Sequence, residues 1–282
     1  MKLITYLTQD TERVGVLTAD GSAVRPLDFP DMLTLIEASA EQRQAAVEAA
    51  GEAVPLSSVT LLAPIPRPRQ DVICLGINYK EHAVESARFH KDAFVKEEEA
   101  IYFSKRVSEA GAPGGYIESS GLVTQLDYEA ELAVIIGKRA KNVPADKAVD
   151  YIFGYTVLND VTDRAVQTAH KQWYFGKSLD TFTPMGPCIT TADEIPFPPA
   201  LVISSRVNGE PRQASVTDRL ITGIAEIIQE LSSGMTLLPG TVIATGTPSG
   251  VGMGFTPPKF LQPGDVVECE IERIGVLKST VR

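Results

Sequence analysis

A strand-dominated α+β fold is predicted by three observations on the amino-acid sequence. Beyond residue 70, short β-rich segments bounded by turn residues recur down to the C-terminus. Only one clear amphipathic helix interrupts them. Before them stands Ala63-Pro-Ile-Pro-Arg-Pro-Arg69, whose three prolines can continue neither a helix nor a central strand. Together these predict a β-sandwich, roll or barrel-like body over 67–282, preceded by a small α/β domain over 1–66.

Taken in order, residues 2–8 and 12–18 read as two strands joined by the polar Gln9–Thr11 turn. A stretch rich in Ala, Glu and Gln, 31–50, reads as one helix stopped by Gly51. After the prolines, strands are expected at 71–77, 100–105, 128–137 and 153–160. A hairpin is expected over 201–216, turning at Asn208-Gly209. Three more strands fall at 241–247, 265–274 and 275–281. The helix between them carries Leu220, Ile221, Ile224, Ile227, Ile228 and Leu231 on one face, with Gly234 at its C-cap.

Composition narrows the function classes. A formal net charge of −10 and a pI near 4.9 repel phosphate backbones and anionic lipid, so neither nucleic-acid nor membrane binding is expected. The charged N-terminus has no signal-peptide core, and no apolar run reaches the roughly 20 residues of a membrane helix, which makes a cytoplasmic protein the expectation. Cys74, Cys188 and Cys269 are odd in number and scattered through apolar stretches, which fits buried thiols rather than disulfides or a zinc cluster.

The chemistry-bearing residues form four groups. In DYEAELAVII, Glu129 and Glu131 fall on one side of a strand about 7 Å apart, an arrangement suited to a hard divalent cation. Alone, such a pair more often marks the solvated face of an edge strand. The strand ending at Asp160 supplies a third acid, either to complete that ligand set or to cap the helix that follows. His82 and Glu85, at i and i+3, lie on one side of a helical turn, where the carboxylate would fix the imidazole tautomer and make a general base. They sit in a strongly charged run, 78–99, that reads as a mobile lid or a solvated loop. Lys177 can neutralise a developing enolate, or be a surface lysine. The glycine-rich TGTPSGVG (245–252) lets backbone amides approach a carboxylate, and it lacks the Gly-Lys-Ser/Thr of a phosphate loop.

In their order, GINYKEHAVE, YFSK, DYEAELAVIIG, GYTVLNDVT, QWYFGKS, DTFTPMGP and TGTPSGVG resemble the fumarylacetoacetate hydrolase family over about residues 71–282. The resemblance implies a mixed β-sandwich roll, a homodimer with each site inside one subunit, and one Mg²⁺ or Mn²⁺ per subunit held by Glu129, Glu131 and Asp160. It makes His82 and Glu85 a lid dyad that closes over substrate, and places Lys177 beside the metal. Arg164, Gln167 and Thr247 match positions that hold the substrate. One departure stands out: the family commonly has its acid after the arginine, whereas here Asp163 precedes Arg164, so whatever orients Arg164 must differ.

The implied activity is on small 2-oxo acids. The first expectation is hydrolysis of an acylpyruvate to pyruvate and a carboxylic acid, with His82 activating water and the enolate held by metal and Lys177. Decarboxylation of oxaloacetate and tautomerisation of a 2-oxo/2-hydroxy-dienoate use the same enolate and stand as alternatives. A non-catalytic metal- or ligand-binding module is the reading from another class, and it has no use for His82, Glu85 or Lys177. A zinc hydrolase is disfavoured, for no HExxH or histidine cluster occurs.

Overall fold

The computed structural model describes residues 1–90, 99–119 and 121–282. The chain starts as a hairpin of β1 (Lys2–Thr8) and β2 (Thr11–Leu17), turned by Gln9 and Asp10, both at positive φ. That backbone matches the right-handed twist of the paired strands. β3 (Ala23–Pro26) extends the hairpin. The single helix expected over 31–50 is two: α1 (Met32–Glu37) and α2 (Ala40–Glu48). The break has a local cause, because Ser39 and Gln42 form a reciprocal capping box that starts a new helix. Two short strands, β4 (Val54–Pro55) and β5 (Thr60–Leu61), close this part against β3 and β1.

After the prolines comes β6 (Val72–Gly76), then α3 (Lys80–His90), which carries the helical turn expected at His82 and Glu85. Residues 91–98 of the charged run 78–99 lie outside the described residues. β7 (Ile101–Lys105) pairs with β6, and β8 (Tyr116–Ile117) and β9 (Leu126–Asp127) follow. β10 (Ala130–Ile136) and β11 (Ile152–Asn159) form the long antiparallel pair at the centre. β12 (Thr162–Asp163) leads into α4 (Arg164–Ala169) and α5 (Tyr174–Lys177). β13 (Met185–Thr191) is not among the strands expected from the sequence, although it contains the apolar stretch around Cys188.

The remainder supplies a second sheet. β14 (Val202–Val207) and β15 (Glu210–Val216) form the hairpin expected at Asn208-Gly209. α6 (Ile224–Gly234) starts later than expected: Gly223 is its N-cap, so Leu220 and the exposed Ile221 precede it. Ile224, Ile227, Ile228 and Leu231 remain as its buried stripe. β16 (Val242–Ala244), β17 (Val266–Ile271) and β18 (Gly275–Val281) complete the chain.

Among the described residues the main sheet runs β4-β3-β2-β1-β13-β11-β10-β16-β6-β7, with β5 on β1, and the second runs β15-β14-β17-β18-β8. Residues 1–66 therefore build no separate sheet; β1 pairs with β13 and continues the central one. Both faces of that sheet are apolar. Leu132, Val134 and Ile136 of β10 share a core with the second sheet and α6. Ala133 and Ile135 share another with Leu35 and Ile36 of α1. This layering is the mixed α+β sandwich the sequence implied. The three cysteines are free and buried, and burial raises their thiol pKa values, Cys269 to about 12. No helix among the described residues is long and apolar enough to cross a membrane.

Candidate active site

The acids are brought together by strand pairing. In the β10–β11 ladder Ala130 lies opposite Asn159, so the start of one strand meets the end of the other. Glu129 and Glu131 flank the first position, and Asp160 follows the second. The Asp160 amide donates to the Glu129 carbonyl at 2.9 Å, and the Glu129 amide to Asn159 Oδ1 at 2.9 Å. Carboxylate oxygens of Glu129, Glu131 and Asp160 all lie within 4.8 Å of one another, and all three residues are buried. The solvated-edge reading of Glu129 and Glu131 is thereby excluded: β10 is a central strand and Glu131 is 1% exposed.

Three cations surround these acids. Lys177 Nζ donates to Glu129 Oε2 at 2.9 Å, Asp160 Oδ2 at 2.6 Å and Thr162 Oγ1 at 2.9 Å. Lys105, fully buried at the end of β7, donates to Asp160 Oδ1 and to the Val161 carbonyl. Arg164 reaches Asp127 through Nε at 2.9 Å and Glu129 through NH2. Burial pushes the Glu129 carboxyl upward, but Arg164, Lys177 and His82 more than offset it and hold the group ionised. Burial likewise works against the Lys177 ammonium, and Asp160 and Glu129 outweigh it, keeping the lysine charged. Glu131 is the exception. Burial, then the charges of Asp160 and Glu129, push its carboxyl well above the usual range, and among the described residues its hydrogen-bond partner is the Gly246 amide at 2.8 Å.

That imbalance is the test of fit for a metal ion. Asp127, Glu129, Glu131 and Asp160 face Lys105, Arg164 and Lys177, and among the described residues the carboxylate without an ion-pair partner is Glu131, beside two other acids. A hard divalent ion relieves this, and an all-oxygen donor set suits Mg²⁺ or Mn²⁺ better than zinc.

The glycine-rich loop does approach carboxylates, and the three it binds are the protein's own. Besides Gly246 on Glu131, Gly250 donates to Glu85 Oε1 at 3.0 Å, and Gly252 and Met253 donate to the two oxygens of Asp127 at 2.6 and 3.1 Å. Gly246 has φ +98°, and a Cβ there would meet Asn78 at 2.7 Å, so the loop needs glycine to come this close. Asn78 in turn ties the start of α3 to Thr245 and Thr222.

His82 and Glu85 are in place on α3. His82 Nδ1 lies 3.0 Å from Glu85 Oε2, and both are nearly covered. A lid dyad that closes only over substrate is expected to lie away from the acids or to be poorly ordered without it; here His82 lines the cavity with Glu129 and Glu131. The cause is the Gly250–Glu85 hydrogen bond, which docks the helix on the glycine loop.

One cavity of about 180 Å³ gathers His82, Glu129, Glu131, Arg164, Gln167, Lys177 and Thr247, with Asp160 behind the acids and Glu85 behind the histidine. Every site residue expected from the sequence is thus at this place. Two qualifications concern the substrate contacts. The Thr247 hydroxyl is engaged, donating to the Ala130 carbonyl and accepting from Gln213 Nε2. Arg164 is oriented by Asp127, while Asp163 caps α4 and accepts from the Thr124 and Gln125 amides. Lys105 and Asp127 are the site residues that sequence reasoning missed, although both lay inside the motifs.

Residues 71–282 match the family described as "Fumarylacetoacetate (FAA) hydrolase C-terminal", and residues 1–64 match "Rv2993c-like, N-terminal". The chain is 47% identical to the oxaloacetate tautomerase YisK of Bacillus subtilis strain 168 over 227 residues, 80% of this chain and 74% of that one. Among solved structures it is similar to the fumarylacetoacetate hydrolase of Exiguobacterium antarcticum, with 38% identity, a TM-score of 0.84, and coverage of 100% and 99% of the two chains. It is also similar to the 5-carboxymethyl-2-hydroxymuconate delta-isomerase of Mycobacterium smegmatis, with 31% identity, a TM-score of 0.80, and coverage of 100% and 99%.

Proposed function

The chain belongs to the fumarylacetoacetate hydrolase family, and from that premise we propose that it is a divalent-metal-dependent enzyme interconverting the keto and enol forms of a short 2-oxo acid, oxaloacetate foremost. The observation that carries the reading is the buried Glu129–Glu131–Asp160 cluster with the charged Lys177 bridging two of its members. A divalent ion held by these three acids would supply positive charge to the C1 carboxylate and C2 oxygen of the acid and of its enolate.

The chain's own groups do the rest. Lys177 adds a fixed ammonium where enolate charge develops. With Nδ1 donating to Glu85, His82 carries its proton there and leaves Nε2 free to accept one. It takes a proton from C3 of the keto form and delivers it to the C2 oxygen of the enolate to give the enol, and in ketonisation it moves the proton back from that oxygen to C3, which is general acid–base catalysis. Leu75, Phe103, Trp173 and Met253 wall the cavity with apolar surface that keeps bulk water from the enolate. The cavity is small, about 180 Å³, which suits an acid of a few carbons.

Hydrolysis of an acylpyruvate, ranked first from the sequence, is the second reading, and one observation favours it: the His82–Glu85 pair can as readily take a proton from water. The tautomerase and isomerase activities named for two of the three relatives, one of them the 47%-identical protein, move proton transfer ahead of it. The deciding experiment incubates the metal-loaded protein with enol-oxaloacetate, following loss of enol absorbance, and with an acylpyruvate and oxaloacetate, following pyruvate release. Metal-dependent ketonisation faster than either pyruvate-releasing reaction supports the proposal. Efficient acylpyruvate cleavage with no effect on ketonisation overturns it in favour of hydrolysis.

A further inference from the structure

We infer that Lys171 is a specificity-determining residue that receives the distal carboxylate of a short dicarboxylic 2-oxo acid. The inference rests on the proposed function, in which the C1–C2 end of the acid sits at Glu129, Glu131 and Asp160. It starts from the charged groups that line the cavity. Glu129 is taken by Arg164 and Lys177, Lys177 also by Asp160, and His82 by Glu85. Arg164 has the right charge for a second carboxylate, but Nε and NH2 are committed to Asp127 and Glu129, and NH1 faces Gln167 Oε1 at 3.3 Å. Lys171 also lines this cavity, and among the described residues it enters no ion pair.

Its position fits the role. Glu129, Glu131 and Lys177 lie at the buried end of the cavity, whereas Thr168 and Lys171 are exposed and so mark its mouth. An acid held at the buried end extends toward that mouth. Lys171 sits in the connection between α4 and α5, at φ +60°, a backbone region in which non-glycine residues are uncommon. The packing of the two helices, and not the lysine's own preference, therefore sets where the backbone presents this side chain. Trp173, two residues on, lies edge-on to Phe103 at 5.3 Å and closes the wall beside it. A compact ammonium on a flexible stem can follow a carboxylate at the mouth and make a charge-assisted hydrogen bond with it.

The test compares oxaloacetate with 2-oxobutyrate, which has the same four carbons but a methyl group in place of the distal carboxylate. Wild type, Lys171→Ala and Lys171→Arg, each loaded with Mn²⁺, are assayed for oxaloacetate ketonisation and for binding of both acids by titration calorimetry. Lys171→Ala should raise KM for oxaloacetate about 10-fold or more with kcat nearly unchanged, the pattern of lost ground-state binding. Its affinity for 2-oxobutyrate should stay at the wild-type value, and Lys171→Arg should retain most of the preference for oxaloacetate. An unchanged oxaloacetate KM, or equal weakening of both acids, overturns the inference. If wild type ketonises nothing, the functional reading fails, and the calorimetry still decides the lysine: a preference for oxaloacetate over 2-oxobutyrate must be present and must vanish in Lys171→Ala.

Discussion

Arg164 Nε donates to Asp127 Oδ2 at 2.9 Å, with both side chains buried. The same carboxylate accepts from the Gly252 and Met253 amides, so one acid aims the arginine and pins the glycine-rich loop. Asp163, the acid next to Arg164 in sequence, does neither and instead caps α4.

Asp127→Asn should therefore be costly. The amide keeps one acceptor for three or more donors and leaves a buried guanidinium short of its counter-charge. Removing one member of a buried ion pair costs about 3–5 kcal/mol. Chemical denaturation should show a loss in that range, with Lys177 and Glu129 still in contact. A loss below about 1 kcal/mol would mean that Asp127 is not the group holding Arg164 and the loop.

Glu131 gives a pH dependence with a definite sign. Burial and the neighbouring acids raise its carboxyl pKa in the folded, metal-free protein. Below the ordinary glutamate value of about 4.3, folded and unfolded states both hold the proton and no penalty exists. As pH rises from there through the raised folded value, the unfolded state gives up its proton first, so stability falls. Glu131→Gln removes the titration. Melting temperatures of the metal-free proteins should thus converge near pH 4 and separate as pH rises, with the variant the more stable. A gap that does not change with pH would show that Glu131 carries no such strain.

His82→Ala should lower kcat for ketonisation by about 10²–10⁴-fold, the usual range for a lost general base. Glu85→Gln, which keeps a partner for Nδ1 but removes the charge, should cost less. If acylpyruvate cleavage is present, equal losses in both reactions would make the pair a gate over the cavity and not the proton-transfer group.

Much of this site was legible in sequence because its parts are local patterns. Glu129 and Glu131 alternate along one strand, Asp160 ends the next, and an antiparallel pairing is enough to bring them together. The hairpin at Asn208-Gly209 was equally plain, since both turn residues adopt positive φ. What escaped depends on tertiary contact. Lys105 ends a strand, and the acid that its covered ammonium meets lies 55 residues on. Asp127 finds its donors 37 and 125 residues away. The split between α1 and α2 was written in the Ser39–Gln42 capping box, a signal lost in the run of good helix formers around it. β13 escaped as well; its Pro187 is tolerated because the antiparallel ladder is interrupted there, opposite Tyr155 and Val157.

Everything proposed for this enzyme depends on a cation held by the buried acids, and the most direct measurement is a calorimetric titration of Mn²⁺ into the metal-stripped protein and into Glu131→Gln. The account predicts one site per chain in the wild type and loss of that site in the variant, with the variant's fold intact by circular dichroism. It also predicts that wild-type binding releases protons, seen as a dependence of the apparent heat on the buffer's ionisation enthalpy, because the raised Glu131 carboxyl must ionise to bind. Equal Mn²⁺ affinity in the two proteins would contradict it.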